Sequence, residues 1–190
     1  MRLGIFGGSF DPPHVGHLLP VLDAAESLGL DAVRFVPAAT QPFKIGRASA
    51  GPEHRMAMTE RLVSRVPGFT ADSREIDRAG LSFTVDTLET LRAEHAEAEL
   101  VLIVGVDAFS LFEQWRAPER IRTLASIAVL VRGEGDVPEA GGRAGVTMLQ
   151  SRRVDISSTE LRARIFAGRT IRGFVPDDVA DYIAEHRLYR

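Results

Sequence analysis

The stretch Leu3-Gly4-Ile5-Phe6-Gly7-Gly8-Ser9-Phe10-Asp11-Pro12-Pro13-His14-Val15-Gly16-His17 decides the fold. Its apolar opening predicts a first strand over Arg2–Phe6, of the kind buried on both faces. Beyond it, Leu18–Leu28 carries apolar residues at helical spacing, and Gly29 stands where a helix-ending C′ residue is expected. The order is therefore strand, glycine turn, helix, with two histidines at the helix start. Such a turn gathers backbone N–H groups, a helix N-terminus and two cationisable rings, all suited to a polyphosphate. Gly7 and Gly8 let a ligand approach the backbone closely. His14 and His17 are three apart and share a helical face, which Gly16 keeps open. Paired imidazoles can donate to phosphate oxygens and gain charge as a phosphorus centre becomes more negative. Neither GxxxxGK[ST] nor GxGxxG can be written here. A metal pair and a purely structural turn remain as alternatives, although no third ligand of matching spacing is evident.

Outward from this stretch, strands and helices alternate. Strands are predicted at Asp31–Val36, Phe69–Ile76, Leu100–Val104, Ile127–Val131 and Val146–Leu149. Helices are predicted from Pro52 or Glu53, from Ser82 or Thr84 with Val85, Leu88 and Leu91 inward, over Ala108–Trp115, and from Pro118. Two more are predicted over Ile156–Ala167, with Leu161, Ile165 and Phe166 inward, and over Pro176–His186. Residues 37–51 and 134–145 read as loops. This pattern predicts an α/β fold with a doubly wound, mostly parallel sheet, a small C-terminal helical element, and one domain over residues 1–190. Ligands of such sheets sit at the carboxyl ends of the strands, near the switch in strand order. The glycine turns at Gly7-Gly8, Gly105 and Arg132-Gly133 would all lie on that edge.

Composition limits the function. The 190 residues carry a net charge of −3, so the chain as a whole is not a basic nucleic-acid binder. No apolar run is long enough to span a membrane and no secretion leader is evident, so a cytoplasmic protein is expected. The absence of cysteine excludes disulfides, thiolate zinc sites and a cysteine nucleophile. Lys44 is the only lysine. His54, His95 and His186 read as solvated surface residues.

A second constellation is Asp155-Ile156-Ser157-Ser158-Thr159-Glu160-Leu161-Arg162. Ser157 and Glu160 fit a capping box. A box needs one hydroxyl, however, and three stand together here with Arg162 one turn on. Hydroxyls, N–H groups and a guanidinium make a second anion cradle. Two cradles suit a triphosphate held from two sides. Arg152 and Arg153, just before it, could face ligand or serve solubility.

Gly8–His17 resembles the G-[ST]-F-D-P-x-H-x-G-H signature of the nucleotidylyltransferase superfamily, and Ile156–Arg162 resembles its ISSTxxR signature. Ser82–Leu88, Gly105-Val106-Asp107 with Trp115 downstream, and the segment from Val175 to Tyr189 are similar to bacterial nicotinate mononucleotide adenylyltransferases, and the similarity runs over the whole chain. The resemblance implies transfer of the AMP part of ATP to nicotinate mononucleotide, by in-line attack at the α-phosphorus with no covalent intermediate. Mg2+ would be carried mainly by the ATP phosphates. It further implies that His17 stabilises the transition state, that His14 binds triphosphate oxygens, and that Ser157, Ser158, Thr159 and Arg162 hold the β and γ phosphates. Gly8, Ser9 and Phe10 would supply backbone contacts, alongside Gly16. Gly105 and Asp107 would lie near the sugars, and Arg132 near the phosphates or adenine. Trp115 would stack on the pyridine ring, Thr84 and Val85 would receive the nicotinate carboxylate, and Lys44 would bind the mononucleotide. The family often has Pro-Pro-His-Lys where this chain has Gln41-Pro42-Phe43-Lys44. Phe83 replaces a common tyrosine, and Arg116 a frequent aromatic residue. Nicotinamide mononucleotide or phosphopantetheine as acceptor, and a non-catalytic nucleotide-binding module, are the competing expectations. Oligomeric state is not readable.

Overall fold

A computed structural model describes residues 1–40, 50–131 and 144–190. Six parallel strands form one sheet: β1 (Arg2–Gly8), β2 (Ala32–Pro37), β3 (Phe69–Ala71), β4 (Glu99–Gly105), β5 (Ser126–Val131) and β6 (Val146–Gln150). Their order is β3-β2-β1-β4-β5-β6, with every neighbouring pair parallel. The helices are α1 (Val15–Leu28), α2 (Pro52–Val63), α3 (Arg74–Arg78), α4 (Thr84–Glu94), α5 (Val106–Phe109), α6 (Pro118–Leu124), α7 (Ser158–Phe166) and α8 (Asp177–Glu185).

Both faces of the sheet are buried, and the period of two shows in the packing. In β4, Leu100, Leu102 and Val104 face one apolar layer with Leu88, Leu91 and Ile121. Val101 and Ile103 face the other, with Val21, Met58, Leu161 and Val179. β5 divides in the same way, Ile127 and Val129 against Ala128 and Leu130. Strand order reverses between β1 and β4. The crevice beyond Gly8 and Gly105 is therefore the switch point at which such sheets bind ligands.

Most elements lie where the sequence places them. Gly29 closes α1 in the left-handed conformation, φ 59° and ψ 48°. Val85, Leu88 and Leu91 form the buried face of α4. Three expectations are corrected. The strand predicted over Phe69–Ile76 ends at Ala71, and Arg74–Arg78 turns into α3. There Arg74 donates to Asp72 and Glu94, and Thr87 donates to a buried Glu75 at 2.6 Å. The helix expected over Ala108–Trp115 splits into α5 and a 3-10 turn at Phe112–Gln114. Phe166, expected inward, is 80% exposed as the last residue of α7, of whose residues only Leu161 is fully buried. Residues 134–143 of one predicted loop and 41–49 of the other lie outside the described residues. No helix among the described residues is long and apolar enough to cross a membrane.

Candidate active site

The site is assembled at the carboxyl edge of the sheet. β1 ends in Gly8, whose carbonyl accepts from the Ala38 N–H at 2.9 Å. A Cβ on Gly8 would lie 2.9 Å from the Phe10 ring, so only glycine lets that ring sit beneath the turn. Phe10 takes a left-handed backbone, φ 50°, and is 1% exposed. Its ring packs with Phe6 and Phe35, and edge-on to His17 at 5.2 Å between centroids. The residue following Ser9 is thus a core anchor, and any ligand contact from it is by backbone.

His14 is the N-cap of α1 and His17 lies in its first turn. Their ring centroids are 3.8 Å apart. The His14 N–H donates to His17 Nδ1 at 3.3 Å. That contact requires a lone pair on Nδ1, so the neutral His17 ring carries its proton on Nε2, away from the backbone. A Cβ on Gly16 would meet His14 Nδ1 at 2.9 Å, which gives Gly16 a steric role against the His14 ring. The α1 terminus offers fewer donors than its position suggests, because the Val15 N–H is taken by the Phe174 carbonyl at 3.0 Å.

The second signature opens α7, and Ser157 caps it by accepting from the Glu160 N–H at 3.1 Å, as the capping pattern predicts. The two signatures are in direct contact. Ser158 donates to the Pro12 carbonyl at 2.9 Å, and Arg162 donates to the Asp11 carbonyl at 2.7 Å. Arg162 also donates to the Thr159 hydroxyl at 3.2 Å. The proton of Ser158 is thereby committed to the first signature. Ser157 and Thr159 each accept a bond in these contacts, and a hydroxyl that accepts can still donate to an anion.

Arg55, which the sequence reading did not single out, and Tyr189, which it met only as the end of a resembling segment with no role assigned, hold this edge together. Arg55 of α2 is 2% exposed. It donates to the carbonyls of Ser9 (2.9 Å), Ala38 (2.6 Å), Ala39 (2.9 Å) and Ala50 (3.3 Å). Burial lowers its pKa, opposed by Asp11, and the guanidinium stays cationic. Tyr189 donates to Asp11 Oδ1 at 2.7 Å, while the Ala50 N–H reaches the same oxygen at 3.2 Å. Burial, followed by the neighbouring Asp11, raises the Tyr189 pKa, so its hydroxyl remains a donor. No pattern gives either residue its role: an arginine in a helix and a tyrosine near a helix end are ordinary, and their partners are backbone atoms or remote in sequence.

The remaining expected residues lie on the same edge but farther along. Gly105 ends β4 and is half-buried, and Asp107 in α5 is exposed. Thr84 and Val85 begin α4, with the Val85 side chain in the core, so its backbone is what it can offer a ligand. Trp115 is half-buried and packs on Phe112 at 5.4 Å. Two of the three departures from the family pattern meet: the Arg116 guanidinium lies 4.8 Å above the Phe83 ring and 3.4 Å from Asp86. Lys44, Phe43 and Arg132 lie outside the described residues. Arg152 pairs with Asp23 and Arg153 with Asp155. His54, expected to be solvated, is half-buried, 2.9 Å from the Tyr182 hydroxyl, with its ring 5.1 Å from that of His186 between centroids and tilted to it by 49°. Among the described residues no three histidines or carboxylates come close enough to share a metal ion.

A doubly wound sheet with an HxGH turn and an ISSTxxR helix joined at its switch point defines a nucleotidyltransferase. Residues 5–164 match the sequence model of the family described as cytidylyltransferase-like. The chain is 47% identical over its full length, and 93% of the relative's, to a protein of Gemmatimonas aurantiaca named "Probable nicotinate-nucleotide adenylyltransferase". It is 44% identical, over the full length of both, to one of Thermus thermophilus with the same name. Its fold matches that of a Plasmodium falciparum nicotinic acid mononucleotide adenylyltransferase complexed with NaAD, at a TM-score of 0.79 and 19% identity, covering 99% of this chain and 97% of the other. The chain belongs to the nicotinate-nucleotide adenylyltransferase family of enzymes.

Proposed function

We propose that the protein transfers the AMP part of MgATP to the phosphate of nicotinate mononucleotide, releasing pyrophosphate and nicotinate adenine dinucleotide. The observation that carries this reading is the contact of Ser158 and Arg162 with the Pro12 and Asp11 carbonyls, which joins the two signature segments directly. The acceptor phosphate attacks the α-phosphorus in line, and pyrophosphate leaves toward the α7 cradle. Catalysis then consists of positioning and charge stabilisation. His17 donates from Nε2 to the α-phosphate oxygens as charge builds. His14 and Arg162, with the Ser157 and Thr159 hydroxyls and the Ser158 backbone N–H at the start of α7, bind the rest of the triphosphate. Gly8, Ser9, Phe10 and Gly16 line it with backbone. Arg132 follows β5 and belongs with the phosphates or adenine on sequence grounds.

The magnesium ion arrives with the nucleotide. The donor set of the site fits that reading: two stacked imidazoles, and a buried Asp11 already bonded by Tyr189 and Ala50. Phosphate oxygens and water then supply the metal's hard ligands.

The mononucleotide occupies the α4 side of the crevice. Trp115 offers a partly exposed face for the pyridinium ring. The α4 N-terminus at Thr84 and Val85 favours a carboxylate over an amide. Gly105 and Asp107 face the sugars, and Lys44 belongs to the same pocket on sequence grounds. Residues 1–190 act as one catalytic domain, a reading supported by Tyr189 reaching back to Asp11. The test is pyrophosphate release from MgATP in the presence of nicotinate mononucleotide, nicotinamide mononucleotide or phosphopantetheine. The first should be fastest. Comparable rates with phosphopantetheine, or no release with any acceptor, would overturn the reading.

A further inference from the structure

The contacts of the chain's end with the first signature exceed what packing requires. After α8, the Leu188 N–H donates to the Ile183 carbonyl at 3.1 Å and the Arg187 N–H to the Ala184 carbonyl at 3.2 Å. This is a Schellman-type turn with an arginine, φ 51°, in the seat glycine normally takes. Tyr189 is also left-handed, φ 65°. Two non-glycine residues in that region persist only where the surroundings determine them, and here the result is delivery of one phenol to one carboxyl group. Asp11 is 3% exposed. Its Oδ1 takes Tyr189 and the Ala50 N–H, and its Oδ2 lies 3.9 Å from Arg162 Nη1, the nitrogen that also bonds the Asp11 carbonyl.

We infer that Tyr189 is a positioning residue for the triphosphate. Its hydroxyl fixes the Asp11 carboxyl group, and Asp11 in turn sets where Arg162 holds α7 against the HxGH turn. The inference rests on reading residues 8–17 and 157–162 as the two sides of that triphosphate site. Without the phenol, Asp11 can turn toward Arg162 and draw the guanidinium from the anion. The consequence falls on ATP and not on the mononucleotide, whose expected contacts lie on α4 and near Trp115.

The test is calorimetric titration of the purified chain with a non-hydrolysable ATP analogue and Mg2+, and separately with nicotinate mononucleotide. Neither titration needs turnover, so a wrong acceptor assignment and a wrong role for Tyr189 give different results. Tyr189→Phe keeps the ring and its packing. It should weaken the ATP analogue roughly tenfold, the scale of one bond to a charged group, with mononucleotide binding within about twofold. Asp11→Ala removes the acceptor of the Tyr189 hydroxyl; it should show the same selective loss, and the double variant should be no weaker than Asp11→Ala alone, because Tyr189 acts through Asp11. Asp11→Ala carries the test if Tyr189→Phe does not fold. Wild-type affinity for the analogue, equal losses for both ligands, or losses that multiply in the double variant would overturn the inference.

Discussion

Arg162 and Asp11 lie 151 positions apart in sequence, yet the guanidinium of one donates to the carbonyl of the other at 2.7 Å. That bond, with Ser158 to Pro12, fixes the distance between the two turns proposed to bind the triphosphate. A triphosphate needs donors on both sides at once, and separate turns on mobile elements would lose that advantage to entropy.

His17 and Gly16 separate chemistry from stability. If His17 is the charge-stabilising donor proposed, His17→Ala should lower turnover by roughly 10²–10³-fold while ATP analogue still binds. Gly16→Ala should lower the melting temperature by only a few degrees, since alanine's helix preference of about 0.5–1 kcal/mol offsets part of an overpacking cost of about 1–3 kcal/mol. Its Cβ would press on the His14 ring, and turnover should drop roughly 100-fold from the misplacement. Steady-state kinetics with thermal unfolding checks both. Normal turnover in Gly16→Ala would contradict the assigned role of His14.

Arg55→Met keeps apolar bulk and removes four bonds to carbonyls around the site. Those buried acceptors would be left unmatched, at a cost of about 3 kcal/mol, or roughly 10 °C in melting temperature for a chain of this size. Calorimetry measures it. A shift under about 2 °C would show that water replaces the guanidinium without penalty.

Glu75 supplies a pH dependence. Burial raises its pKa, partly offset by bonds from Thr87 and Ser82. The folded chain then holds this proton more tightly than the unfolded chain. Stability therefore falls as pH rises from the ordinary glutamate value through the raised folded one. Glu75→Gln keeps an acceptor for Thr87 and does not titrate. Melting temperatures from about pH 4 to 8 should show wild type losing ground to the variant as pH rises. Parallel curves would contradict the assignment.

Local chemistry was the legible part. The apolar strands other than β3, Gly29 as a left-handed helix end, the α4 face and the Ser157 cap all depend on neighbours within a few residues, and each lies close to where the sequence puts it. Non-local pairings were not legible. Arg55 bonds backbone carbonyls from three segments, and Tyr189 finds Asp11 across 178 positions, so neither leaves a periodic or spaced signal. Phe83 and Arg116 stood out as separate departures, but only the fold reveals them as a stacked pair. The early end of β3 has a similar cause, since Asp72 accepts from the Arg74 N–H and Glu75 buries against Thr87, which favours a turn over continued strand.

Direct displacement at the α-phosphorus is tested most sharply by stereochemistry. MgATP made chiral at that phosphorus by sulfur substitution is turned over with nicotinate mononucleotide, and the configuration of the dinucleotide product is determined. A single in-line transfer between the two cradles predicts inversion. Retention would require two displacements through a covalent enzyme intermediate and would contradict a site that works by positioning and charge alone.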